Sequence, residues 1–356
     1  MKMIVRRTAL AVCTLVLAVT LSTAASAACT GFDDVPEAAD CYESVMYLAE
    51  CEIAAGTGND CFSPEQLITV EQWAVMLCRA YGVETIGDSW QDVGRSSVVE
   101  AYRQGWLNET ALSAPRSPMC RSVLVESAFA AADVPVYDST LYEGGASLST
   151  ADNILRVGRE LGLCSDDADT NALVTRGDAA IILHVVLTQS FRIEAPPAPV
   201  TLVNAAGVNV NDFLLELRKL PEQILDAFNA AGWTYRIDFD YISELSKQLN
   251  MGCIGATNYS QKAIYISEAS ATLHEFGHFL DWTLGFPAEH EQLFRAEAAA
   301  APLRDYAKTN AREYFADCFD YCIIHGNDSE MMKSLRKNAP QTCTYFERLK
   351  KDNWSR

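Results

Sequence analysis

The chain has 356 residues, with 28 Lys and Arg against 47 Asp and Glu, a net charge of −19 and a pI near 4.6. That balance excludes a nucleic-acid partner held on a basic face, because phosphate needs clustered cations. A hydrophobic share of 49% leaves ample material for ordinary packed cores.

Residues 1–27 read as a secretory signal. Lys2, Arg6 and Arg7 precede a mostly apolar run from Ala9 to Leu21, and Ala25-Ser26-Ala27 offers a small-residue cleavage site, with the cut expected after Ala27. The run is too short for a membrane span, and no long apolar stretch follows it. The residues before Cys29 lack the leading Leu of a lipoprotein signal. An exported chain with no membrane span after signal removal is therefore expected. Of twelve Cys, Cys13 leaves with the signal. Export permits disulfides, and the odd remainder requires one thiol that is free or pairs between chains. Cys41, Cys51 and Cys61 are close enough in sequence to be bridged with Cys78 or Cys29.

Roughly 330 mature residues suggest two domains. Residues 28–190 show a weak internal repeat of helical units, at about 30–82, 88–135 and 137–190. Phe32-Asp33-Asp34-Val35 recurs as Trp90-Gln91-Asp92-Val93. A second helix in each unit is expected to begin at Ile68-Thr69-Val70-Glu71, near Met119-Cys120-Arg121-Ser122, and at Val174-Thr175-Arg176-Gly177. The third copy lacks the opening motif. Asp33, Asp34 and Asp92 read as helix caps. A Pro-rich linker over 191–200, stiff and extended, separates this region from residues 201–356.

In that second region Ala263–Ile266 reads as a short strand, followed by a helix with Ser267 and Ser270 as N-cap residues and Gly285 as its stop. The helix carries His274-Glu275-Phe276-Gly277-His278. Two imidazoles four residues apart share a helix face, so both can bind one zinc ion, and the Glu between them can handle the proton of an activated water. His274, His278 and Asp281 form one polar strip on a helix that is otherwise apolar. A buried strip of that kind needs partners. A metal is one, and backbone carbonyls around two core histidines are the other. A third ligand is sought downstream, where Asn310 can cap a helix from about Ala311 to Gly326. Glu313 is either that ligand or the third-position Glu of a capping box on Asn310. Periodicity reads the face bearing Glu313, Asp317 and Asp320 as solvated, opposite Phe315, Cys318, Phe319 and Cys322.

The motifs HEFGHFLD (274–281), YAKTNAREYFADCF (306–319) and LRKNAPQTCTYFERL (335–349) together resemble the catalytic domain of anthrax lethal factor and the secreted bacterial Pro-Pro endopeptidases, one zincin family. The resemblance implies an α+β zincin-like metallopeptidase domain over 201–356. It implies one Zn2+ per chain held by His274, His278 and Glu313, with Glu275 as general base. Tyr306 would stabilise the oxyanion, and Asp317 would orient a ligand imidazole. Asp317 stands where many members carry Glu, and residues 201–262 match weakly. Cys318 and Cys322 are not required by the family. They read as small buried residues, or one of them bridges to Cys253 or Cys343. Ala263–Ile266 is expected to accept an extended peptide as an added strand, with Tyr265 facing outward. Some relatives cut between prolines, so Pro-rich sites are among the implied targets, and Pro196-Pro197 in the linker is one such sequence.

The units of the first region resemble S-layer homology repeats. The clearest copy is 32–81, with FDDV, then GTGNDCFSP (56–64), then ITVEQWAVML (68–77). The resemblance implies an all-α domain of three repeats that binds anionic secondary cell-wall polymer through the Arg of an Ile-Thr-Arg motif. That Arg matches Arg121 and Arg176, while Val70 replaces it in the first copy. The expected protein is a secreted or wall-associated zinc endopeptidase acting on peptide or protein substrates. The alternative is a non-catalytic wall-binding surface protein whose peptidase domain is degenerate.

Overall fold

The computed structural model describes residues 31–355, so the signal segment, its cleavage site after Ala27, and Cys29 lie outside the described residues. The chain divides into two compact units, one reaching Thr140 and resuming over Ala146–Glu194, the other comprising Leu141–Gly145 and Ala195–Arg356.

The first unit is helical. It holds α1 (Tyr42–Glu50), α2 (Val70–Ala80), α3 (Trp90–Arg103), α4 (Glu109–Ser113), α5 (Arg121–Ala131), α6 (Thr150–Glu160) and α7 (Arg176–Thr188). Helices α2, α5 and α7 begin at the positions expected from the recurring motifs, and their approaches meet. The Ile68 amide donates to the Val174 carbonyl, Val174 to Met119 and Met119 to Ile68, each at 3.0 Å. All three side chains are buried, so a closed ring of backbone bonds sits inside the core and satisfies amides that no helix uses. Thr69 caps α2 in a reciprocal box with Gln72, and Thr175 caps α7. Asp34 does not cap a helix. Its carboxylate accepts the amides of Phe62 and Ser63, both at 2.7 Å, and pins a distant loop instead.

The second unit combines β1 (Leu202–Asn204), β2 (Thr234–Ile237), β3 (Gly255–Asn258) and β4 (Ala263–Ile266) with α8 (Asn211–Leu217), α9 (Glu222–Ala230), α10 (Phe239–Leu249), α11 (Thr272–Thr283), α12 (Ala288–Glu297), α13 (Ala311–His325), α14 (Ser329–Asn338) and α15 (Pro340–Lys351). The sheet order is β1-β2-β4-β3, with β1, β2 and β4 parallel and β3 antiparallel to β4. This corrects the expectation for Ala263–Ile266. The strand is paired on both sides and all four residues are buried, as suits an uninterrupted apolar run. Tyr265 stacks on Tyr241 at 3.6 Å instead of facing outward. The sheet's two edges are β1 and β3, and β3 is the one beside β4.

Helix α11 lies against this sheet. Phe276 and Phe279 pack on Phe228 of α9 at 4.8 and 5.0 Å between ring centroids, and Tyr235 of β2 hydrogen-bonds Thr272 at 2.7 Å. Ser267 and Ser270 do not cap the helix. A 3₁₀ turn, Ala269–Ala271, leads into it, and Ser267 Oγ donates to the Ile254 carbonyl. At the far end Gly285 takes a φ of +75°. The amides of Gly285 and Phe286 return to the carbonyls of Trp282 and Asp281, the paired bonds of a Schellman stop.

Helix α13 crosses α11 where neither has bulk. A Cβ on Gly277 would lie 2.6 Å from the Ala316 Cα. The face of α13 bearing Glu313 and Asp317 therefore looks toward α11, not toward water, and Asp317 is 4% exposed. Its opposite face, with Phe315 and Phe319, is buried as well, so this helix has two buried faces and no single apolar stripe. Among the described residues ten cysteines are free and none is bridged, against the expectation of disulfides. Cys41, Cys78, Cys318 and Cys343 are buried, and there they pack as small apolar groups. No described helix is long and apolar enough to cross a membrane.

Candidate metal centre

Two helices contribute the convergent groups. His274 and His278 project from one face of α11, and Glu313 projects from the first turn of α13. The Nε2 atoms of the two imidazoles are 3.1 Å apart, and Glu313 Oε2 lies 3.0 Å from one and 3.3 Å from the other. Asn310 alone caps α13, accepting the amides of Arg312 and Glu313 at 3.0 and 3.1 Å. The Glu313 side chain leaves that cap and turns to the histidines, so no reciprocal box forms.

The donor set fits a zinc ion. Ligand atoms at about 2.0–2.1 Å from a tetrahedral zinc stand roughly 3.3 Å from one another, and the three separations fall close to this. Facing imidazole nitrogens repel unless a cation or a shared proton lies between them. Among the described residues these are the three His, Cys, Asp or Glu side chains grouped tightly enough to hold a metal.

A further layer orients the ligands. The Nδ1–H of His274 donates to Asp317 Oδ1 at 2.6 Å, which leaves Nε2 aimed at Glu313. Arg304, not anticipated from the sequence, grips the same carboxylate with Nε to Oδ2 at 2.7 Å and Nη2 to Oδ1 at 2.6 Å. Burial pushes the His274 imidazole down, but its hydrogen bonds to Asp317 and Glu313 outweigh this and hold it up at about 9. Burial works against ionised Glu313 too, yet the two imidazoles keep its carboxyl well below the usual carboxylate range. Asp317 is likewise lowered against its burial, by His274 and Arg304. His278 Nδ1 is buried without a protein partner.

Glu275 is 5% exposed and faces the edge strand. Its Oε2 accepts from Thr257 Oγ1 of β3 at 2.7 Å. Gly255 makes room for it, since a Cβ there would lie 2.7 Å from Oε1. Neither β3 residue carries a motif, and their shared face follows only once the strand is known. Tyr306 sits in a 3₁₀ turn, Asp305–Lys308, with its ring 6.0 Å from that of His274. Burial, the charges of Glu313 and Glu275, and a hydrogen bond to Glu313 raise its hydroxyl to about 12, so it is a proton donor at neutral pH. Asp281, grouped with the histidines by the helical wheel, turns elsewhere. It accepts from His290 Nδ1 at 2.7 Å, and His290 Nε2 bonds the Tyr345 hydroxyl at 2.7 Å, all in the interior.

In the first unit Arg176 is buried at 5% exposure and donates to the carbonyls of Phe62 at 2.9 Å and Ala55 at 3.1 Å. It also lines a cavity of ≈ 450 Å³ with Arg79, Gln66, Gln72 and Trp90. Arg121 lies outside that lining and pairs loosely with Asp178 at 3.6 Å.

Comparison with known families matches two parts of the chain. The family described as anthrax toxin lethal factor, N- and C-terminal domain, matches residues 239–349, and the S-layer homology domain matches residues 31–72. The first match begins at α10 and leaves β1 and β2 outside. The second covers one of the expected repeats. No curated protein matches the chain.

Proposed function

We propose that the chain is an exported, wall-associated zinc endopeptidase, with zinc held by His274, His278 and Glu313. The observation that carries the reading is the convergence of two imidazole nitrogens and one carboxylate oxygen within 3.0–3.3 Å of one another, backed by Asp317. A zinc ion bound there supplies Lewis acidity, lowering the pKa of water from 15.7 toward roughly 7 and polarising a carbonyl.

The chain's own groups do the rest. Asp317 accepts a hydrogen bond from His274 Nδ1–H and keeps the Nε2 lone pair forward. Glu275 accepts the proton of the attacking water and returns it to the leaving amine, with one oxygen steadied by Thr257. The Tyr306 hydroxyl donates to the developing oxyanion. The unpaired edge of β3 adds an extended peptide as a further strand beside Glu275. Pro-rich peptides are one class to present to it.

The test is elemental analysis of purified protein together with cleavage of a broad peptide library by the wild type and Glu275→Gln. One zinc per chain is expected in both, with turnover lost only in the variant. A chain that takes up no zinc and cleaves nothing supports the alternative, a surface protein with a degenerate peptidase domain.

For the first unit we infer retention at an anionic wall glycan. The cavity lined by Arg79, Arg176 and Trp90 favours this, because it joins cations to an aromatic face, as acidic sugars require. The meeting of three helix starts around Ile68, Met119 and Val174 supports reading the unit as three repeats. Co-sedimentation with purified walls tests retention, and no difference between the intact chain and Arg79→Glu would count against it.

A further inference from the structure

We propose that Arg312, with the Tyr259 and Phe286 rings that hold it, reads a carboxylate on the substrate, so that the preferred peptides carry an acidic residue at one fixed distance from the scissile bond. This rests on the peptidase reading of the adjacent centre and narrows its substrate class.

Arg312 is the residue before Glu313, so its side chain leaves the same helical turn as a proposed zinc ligand. Its guanidinium carbon stands 4.4 Å from the Phe286 ring centroid and 5.8 Å from that of Tyr259. Those rings meet edge to face at 5.5 Å and 86°, and Tyr259 is backed in turn by Trp233. Tyr259 directly follows β3, the strand whose Thr257 holds Glu275, so this wall adjoins the centre. The chain accepts an uncommon backbone to build it. Phe286 has a φ of +50°, in the left-handed region that bulky residues avoid, and remains 37% exposed.

Among the described residues no carboxylate forms an ion pair or hydrogen bond with Arg312, whose guanidinium lies over these two rings, whereas Arg304 is held bidentately by Asp317. In a chain with 47 acids and 28 bases, an arginine without a carboxylate beside the centre is a departure from the surrounding charge. Contact with ring faces consumes none of the five guanidinium N–H donors. They stay available, pre-positioned, for a planar two-oxygen acceptor. An acidic side chain on an extended peptide along β3 supplies that acceptor.

End-blocked peptides of one length, with a single Glu, Gln or Lys stepped through each position, test the idea. The wild type should prefer Glu over Gln at one position by at least about tenfold in kcat/KM. Arg312→Gln should collapse that ratio, and Arg312→Glu should turn the preference at the same position toward Lys. The proposal is overturned if no position favours Glu, or if Arg312→Gln slows all peptides alike, since Arg312 then only packs the rings. Binding of the same peptides, carrying a fluorescent label, to Glu275→Gln separates the two readings. Charge-selective binding without turnover by the wild type would end the peptidase reading and leave Arg312 as a carboxylate-binding residue only. No selectivity in binding or turnover would end this one.

Discussion

Asp317 holds His274 by its Nδ1–H at 2.6 Å, reaching across from α13 to α11, while Arg304 occupies both oxygens of the same carboxylate. One acid thus fixes the ring whose other nitrogen points at Glu313. Asp317→Ala should weaken zinc affinity roughly 10- to 100-fold, the usual cost of removing such a support. Competition with a chelator of known affinity measures it. Unchanged affinity would show that the ring is held by packing alone.

Proton and zinc compete for His274. In the metal-free protein its folded-state value is raised to about 9, above an ordinary imidazole at about 6.5. Its ion pairs therefore stabilise that form fully below about pH 6.5 and fade as pH climbs through about 9. Zinc must displace the proton, so affinity for zinc should rise with pH between about 7 and 9. Chelator titrations at several pH values read this directly, and a flat profile would contradict it.

Two glycines make opposite demands. Gly255→Ala would bring a Cβ against Glu275 Oε1 and Cγ at 2.7 and 2.8 Å, so the carboxylate must move. Zinc content should persist while kcat falls by roughly 10²-fold or more, in the range of lost general-base catalysis. Gly277→Ala meets the Ala316 backbone at 2.6 Å, which cannot yield without separating α11 from α13. That variant should lose about 1–3 kcal/mol of stability in urea melts and loosen zinc as well. Equal effects of the two on kcat and stability would contradict this division.

The two arginines of the first unit should also part ways. Arg176→Ala strips the donors from the Phe62 and Ala55 carbonyls inside the unit and should cost about 2–4 kcal/mol. Arg121→Ala removes a long ion pair at 3.6 Å to a largely exposed Asp178 carboxylate and a contact with Cys164, and should cost less, about 1 kcal/mol. Urea unfolding followed by a probe in the first unit compares them.

Much of the local grammar was legible in the sequence. The i, i+4 histidines, the Asn310 cap, the Gly285 stop and the starts of α2, α5 and α7 depend on residues within one helical turn, and spacing along the chain is enough to find them. Periodicity misread the Glu313–Asp317 face as solvated because α13 is buried on two sides, and a helix period records where apolar residues lie, not what covers a polar face. The edge strand was assigned to β4 because its proximity to α11 is visible in the sequence, whereas pairing order is not. Arg304, Thr257 and the Asp281–His290 pair carry no spacing signal, since each meets its partner across the fold. The sequence by itself determined which side chains each helix would present, through steric and capping rules that act over a few residues. Only the tertiary structure decided which of them converge, because the close approach at Gly277 and Ala316 sets the distance between the imidazoles and Glu313.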